Sequence, residues 1–194
     1  QETLTDLTGL AVSDGVLVSP ATGEPSFVAF DDRTITVTSG LPNLNGVEMA
    51  VSGFSFVLSG GSTIAGGADL HPRTGVGVSQ DGRYAYFMVI DGRRTGFSEG
   101  ATTQEVGAWL LHFGAYDGLN MDGGGSSTMA RYDQSAGGDG VVLLAESMLA
   151  AMGLIQLSAW IIRSDGDQPE AVLAKPVSQI LVFVSAFYFL LAAS

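Results

Sequence analysis

Residues 84–90, Tyr-Ala-Tyr-Phe-Met-Val-Ile, are an unbroken run of seven apolar side chains. The run is rich in aromatic and β-branched members, so it predicts a strand covered on both faces. Its flanks narrow the fold further. Residues 75–79 read as a short strand, and Asp81-Gly82 as the turn that joins it to the run. If that turn holds two residues, Ser79 pairs with Tyr84 and Arg73 falls opposite Ile90. Beyond the run and a polar loop, Thr102-x-x-Glu105 has the form of a capping box. Val106, Trp109, Leu110 and Phe113 then recur at helical spacing, and Gly114 is placed to stop the helix. Residues 119–121 form another short strand. Strand, helix and strand within about forty residues match the length of a βαβ crossover. The expected class is α+β: a mixed β-sheet with few helices, in which a β-hairpin is followed by a βαβ crossover.

This register makes a functional prediction. If 84–90 and 118–121 run parallel, their C-terminal ends share one edge, where Asp91 and Asp122 stand. The helix N-terminus, with Thr102 and Glu105, lies at the same edge. Arg73 and Thr74 reach it from the antiparallel side. Ligands of open α/β sheets gather outside strand C-termini.

The remaining chain is read more coarsely. Residues 9–18 suggest two strands around Asp14-Gly15, and 26–30 and 34–38 two more around Asp31-Asp32-Arg33. Residues 40–48 read as loop and 54–58 as a strand. Residues 141–144 read as a strand and 145–152 as helical. The expected division is one domain over 1–155, a linker over 156–176 and an apolar tail over 177–194. The tail falls just short of the usual length for a bilayer span. A buried segment and a membrane anchor are both open for it, with a projecting helix expected.

Charge excludes one class of partner. Eight Lys and Arg face twenty Asp and Glu, for a net charge of −12, so nucleic acid is not an expected partner. An anionic substrate would need a few local arginines or backbone N–H groups. The chain has no cysteine, which rules out disulfides and thiol catalysis, and its two histidines are too few for a histidine-rich metal site. No metal site and no cofactor is expected.

The sharpest motif is Asp122-Gly123-Gly124-Gly125-Ser126-Ser127-Thr128. Three glycines let the backbone approach a ligand and turn N–H groups inward as an anion nest. Asp122 could act as acceptor or base, and Ser126 and Thr128 could donate hydrogen bonds. A tight loop without chemistry is the ordinary alternative. The run lacks the Gly-Lys-Ser/Thr ending of a Walker A loop and the ligand ladder of an EF-hand. Arg73 and Arg93 suit phosphate through their planar forks, although either could be a surface ion pair. Arg94 reads as solvated, Glu105 as a helix cap, His71 as a loop-orienting residue and Trp109 as core.

Taken together, His71-Pro72-Arg73-Thr74, Asp91-Gly92-Arg93, Gly100-Ala101-Thr102-Thr103-Gln104-Glu105 and Asn120-Met121-Asp122 with its glycines, serines and Thr128-Met129 occur in order. This series resembles the phosphodiester glycosidase family, over roughly residues 9–144 and most strongly over 71–129. The resemblance implies a hydrolase that cleaves the glycosidic bond of a sugar-1-phosphodiester, in a family with many secreted bacterial members. It implies a location outside the cell, in the periplasm or at the cell surface. It also implies that Arg73, Thr74, Asp91, Arg93, Glu105, Asn120, Asp122, Ser126 and Thr128 lie in or near the site.

Two departures accompany it. The Asn-Gly-Gly segment that precedes the region of Gly9 in family members is not in the chain, which predicts an N-terminally truncated domain. Residues 145–153 lack the Arg and Asn that the family carries near its domain end. The expected chemistry uses arginine and glycine-loop N–H groups to stabilise a phosphate leaving group. Asp122 is the first candidate carboxylate, with Glu105 or Asp91 as partner. The alternatives are a non-catalytic carbohydrate- or phosphate-binding surface module, and a calcium-stabilised structural domain.

Overall fold

The computed structural model describes residues 7–41, 43–132, 141–146, 158–163 and 181–183. The chain begins with strands β1 (Ala11–Ser13), β2 (Val16–Ser19), β3 (Ser26–Phe30), β4 (Ile35–Thr38) and β5 (Val47–Ser52). It continues with β6 (Ser55–Ser59), β7 (Ser62–Thr63), β8 (Arg73–Val78) and β9 (Tyr84–Ile90). Helix α1 (Thr103–Phe113) leads to β10 (Asp117–Asn120), and a single 3-10 turn (Gly124–Ser126) to β11 (Thr128–Tyr132). Then come β12 (Val141–Glu146), β13 (Ser158–Arg163) and β14 (Leu181–Phe183).

Three sheets result, in the orders β2-β1-β5-β3-β4, β13-β9-β8-β10-β6-β7 and β12-β11-β14. Every described ladder is antiparallel. With one α-helix among the described residues, the fold is α+β, as expected. The hairpin register also holds, with Arg73 opposite Ile90 and the Ser79 N–H donating to the Tyr84 carbonyl at 2.9 Å. β9 and β10 both lie antiparallel to β8, on its two sides. They therefore run parallel to each other, and the crossover through α1 skips one strand.

The apolar run of β9 is explained by its two neighbours. Ala85 and Phe87 face the five-stranded sheet, in a core with Phe27, Ile35, Val37 and Val51. Tyr84, Tyr86, Met88 and Ile90 belong to the opposite core, which contains Val106 and Leu110 of α1. Alternate residues thus meet different layers, so no position along the strand is polar. Burying a side chain such as Leu110 contributes about 1.5–3 kcal/mol. The helix also lies unusually close to the sheet. A Cβ added to Gly107 would fall 2.1 Å from the Val57 carbonyl oxygen, and one on Gly75 2.8 Å from Val106 Cγ1.

The helix is closed at both ends by its own sequence. Glu105 N–H donates to the Thr102 hydroxyl and Thr102 N–H to the Glu105 carboxylate, the reciprocal capping box. Gly114 ends it in the left-handed conformation at φ 107°.

Five expectations need correction. Trp109, read as core, is 41% exposed, because the buried face of α1 is formed by Val106, Gly107 and Leu110. Residues 47 and 48, read as loop, begin β5, which pairs with both β1 and β3. Residues 158–163, read as linker, form β13 on the edge beside β9. Residues 145 and 146, read as helical, end β12, while 147–152 lie outside the described residues. Within the tail, Leu181–Phe183 is a strand paired with β11 and not part of a helix. The rest of 177–194 lies outside the described residues. Among the described residues no helix is long and apolar enough to cross a membrane.

Candidate active site

The edge at the C-terminal ends of β9 and β10 gathers three loops. An isolated antiparallel bridge joins His71 to Ala101, with N–H to carbonyl distances of 3.2 and 3.0 Å. Gly92 and Gly100 make this meeting close. A Cβ on Gly92 would lie 2.7 Å from both the Gly100 Cα and the Pro72 nitrogen, and one on Gly100 2.5 Å from the His71 carbonyl. The glycine loop joins from the other side, where Gly124 N–H donates to the Pro72 carbonyl at 2.9 Å. A Cβ on Gly123 would stand 2.7 Å from that same oxygen. Residues 71–73, 92–93, 100–101 and 123–124 therefore meet at one place.

Arg73 is fixed by carbonyls. Its Nε donates to Ala101 O and one terminal nitrogen to Asp69 O, each at 2.9 Å. No carboxylate pairs with it among the described residues. Partial burial lowers its proton affinity below the ordinary arginine value, Asp69 opposes that, and Arg93 adds to it. An arginine nonetheless stays charged. The site thus holds two neighbouring positive charges.

Arg93 takes φ 57°, a left-handed conformation that costs a non-glycine residue about 1–2 kcal/mol. Its guanidinium lies against the glycine loop, since a Cβ on Gly124 would be 3.2 Å from one terminal nitrogen. The same guanidinium contacts His71 Nδ1, at 3.4 Å from Nε and 3.2 Å from a terminal nitrogen.

The three candidate carboxylates are engaged very differently. Asp91 Oδ2 pairs with Arg94 at 2.8 Å, its Oδ1 accepts from Gly92 N–H, and its carbonyl accepts from the Ser98 hydroxyl. It braces the loop after β9. Arg94, read as solvated, is held by this pair and stacks over Phe97 at 4.6 Å. The Glu105 carboxylate is occupied by the capping box. Asp122 accepts from Gly123 N–H at 2.9 Å and has no cationic partner among the described residues. Met121 N–H donates to Thr74 O at 2.8 Å, continuing the β8–β10 ladder one step past Asn120 opposite Gly75. Past the end of β10, the chain turns back against the start of β8, where a Cβ on Gly123 would lie 3.8 Å from the Arg73 Cα.

The glycine loop is not the anion nest expected from its sequence. The N–H groups of Gly123, Gly124, Ser126 and Ser127 are each satisfied within the protein. Gly125 N–H is left over, on an exposed residue. The glycines serve close packing against Pro72 and Arg93 instead. Thr74 is fully buried, with its hydroxyl 3.4 Å from that of Ser127, and so supports the loop from beneath. Ser126 is half-buried and Thr128 buried. Asn120 is buried, with its amide nitrogen donating to Met121 O and its Oδ1 without a partner. Among the described residues no group of three or more His, Cys, Asp or Glu could hold a metal ion.

Sequence reasoning missed the Ala101 carbonyl, the Asp91–Arg94 pair and the support from Ser127. The only signals available were the spacing of three between Asp91 and Arg94 and the Ser-Ser step after the glycines.

The chain belongs to the phosphodiester glycosidase family, whose profile matches residues 2–149. It is similar in structure to the zebrafish N-acetylglucosamine-1-phosphodiester alpha-N-acetylglucosaminidase catalytic domain auto-inhibited by pro-peptide, with a TM-score of 0.55 and 18% identity. That match covers 81% of this chain and 58% of the zebrafish one, so the chain spans little more than half of that domain. At such identity the likeness concerns the fold. A comparison with curated proteins found no match.

Proposed function

We propose that the chain hydrolyses the glycosidic bond of a sugar-1-phosphodiester. The observation that carries this reading is that two arginines, neither ion-paired with a carboxylate among the described residues, stand at the edge that the Asp122 loop also reaches, while Asp122 has no cationic partner among the described residues. A water oxygen attacks the anomeric carbon while the bond from that carbon to the phosphate oxygen breaks. The phosphate monoester leaves with the bonding electrons. Asp122 takes the water proton. Arg73 and Arg93 neutralise the charge that grows on the phosphate, and the remaining Gly125 N–H can add to them.

A phosphate monoester is a good leaving group, so this reaction asks little of a second carboxylate. The structural engagement of Asp91 and Glu105 is compatible with that. The same engagement favours a second reading, in which the site binds a sugar phosphate without turnover. Incubating the purified chain with a sugar-1-phosphate methyl diester and following sugar release separates the two. Release that is lost in Asp122→Asn supports hydrolysis. Binding of the diester without release supports the second reading.

A further inference from the structure

We propose that His71 is a positioning residue that holds Arg93 in the site through its Nδ1. The inference rests on the proposed function for its kinetic consequence, but its geometry stands apart from it. A guanidinium can only donate hydrogen bonds, so the contact of Arg93 Nε and a terminal nitrogen with His71 Nδ1 requires a lone pair there. The ring proton must then sit on Nε2.

Both partners are held for this contact. His71 is pinned through its backbone to Ala101 in both directions. Arg93 leaves Gly92 in a left-handed conformation, and Gly92 itself is wedged between Gly100 and Pro72. The His71 ring meets the guanidinium at Nε and one terminal nitrogen, and Gly124 lies against its terminal nitrogens. Arg93 has no ion-pair partner among the described residues, so the ring is what sets its orientation. The one His71–Ala101 bridge thereby places both guanidinia, Arg73 through the Ala101 carbonyl and Arg93 through the His71 ring.

Asparagine can present an acceptor close to the position of Nδ1, whereas phenylalanine keeps the ring and removes the acceptor. In the full chain, His71→Phe should lower kcat/KM for a sugar-1-phosphate methyl diester about tenfold, the scale of one hydrogen bond to a charged group. His71→Asn should recover most of that loss. Adding His71→Phe to Arg93→Ala should cost nothing further. Ring ¹⁵N spectra supply a reading that needs no turnover: His71 should carry its proton on Nε2, and its Nδ1 signal should shift in Arg93→Ala. A proton on Nδ1, or an Nδ1 signal unmoved by Arg93→Ala, overturns the inference. Full additivity of the two substitutions in an active enzyme overturns it as well. If the wild-type chain shows no turnover, the proposed function falls, and the spectra alone decide the His71–Arg93 contact.

Discussion

Arg73 donates from Nε to the carbonyl oxygen of Ala101, 28 residues further along the chain and 2.9 Å away. This bond ties the start of β8 to the residue that precedes the N-cap of α1. It explains why a guanidinium stands at the edge without a carboxylate: backbone oxygens orient it and leave its charge available.

Arg73→Lys tests this directly. Two acceptors lie at fixed positions around a planar fork, and a single ammonium on a flexible stem cannot serve both in the same way. We expect kcat/KM to fall about tenfold or more while the melting temperature moves by only a few degrees, because the lost bonds are at the periphery. Steady-state kinetics and a thermal melt on the same preparation check both halves.

The carboxylates should separate by role. Glu105→Gln preserves a side chain that a capping box accepts, so turnover should stay within about twofold of wild type. Thr102→Ala removes the hydroxyl that caps Glu105 N–H and should cost about 1 kcal/mol of stability. Denaturant titration measures the second effect. A large loss of turnover in a well-folded Glu105→Gln protein would return Glu105 to the chemistry.

The close seat of α1 makes Gly107 intolerant. Its added Cβ would lie 2.1 Å from a backbone oxygen of β6, which cannot give way as a side-chain tip could. Gly107→Ala should destabilise by about 1–3 kcal/mol or more, as read by the denaturation midpoint. An unchanged midpoint would mean that the helix sits farther from the sheet.

Much of this arrangement was legible where local chemistry decides structure. The Asp81-Gly82 turn set the β8–β9 register, and the capping box with Gly114 bounded α1 to within a residue. From those two features the common edge followed. The start of β5 escaped because the Pro and Asn of 42–45 carried the loop reading through residue 48, although Val47, Met49 and Val51 alternate with Glu48, Ala50 and Ser52 in the strand manner and β5 pairs with both β1 and β3. β13 escaped for a different reason: Trp160 and its neighbours take their meaning from β9, a partner about seventy residues away in the chain, and tertiary pairing of this kind leaves no local mark. The site's residue types were readable, but their commitments were not. Whether Asp91 meets Arg94 or a substrate depends on the path of the 91–100 loop. Whether glycine N–H groups face a ligand or Pro72 depends on the turn they adopt.

Asp122 is the carboxylate proposed to do the chemistry. Asp122→Asn is nearly isosteric, and its amide oxygen can still accept from Gly123 N–H, so the loop should survive. The decisive measurement is release of free sugar from a sugar-1-phosphate methyl diester by the wild-type and Asp122→Asn chains, with the fold of each verified by circular dichroism. Turnover by the wild type and a loss of at least about a hundredfold in the variant are expected. Equal release by a correctly folded Asp122→Asn chain would contradict the proposal.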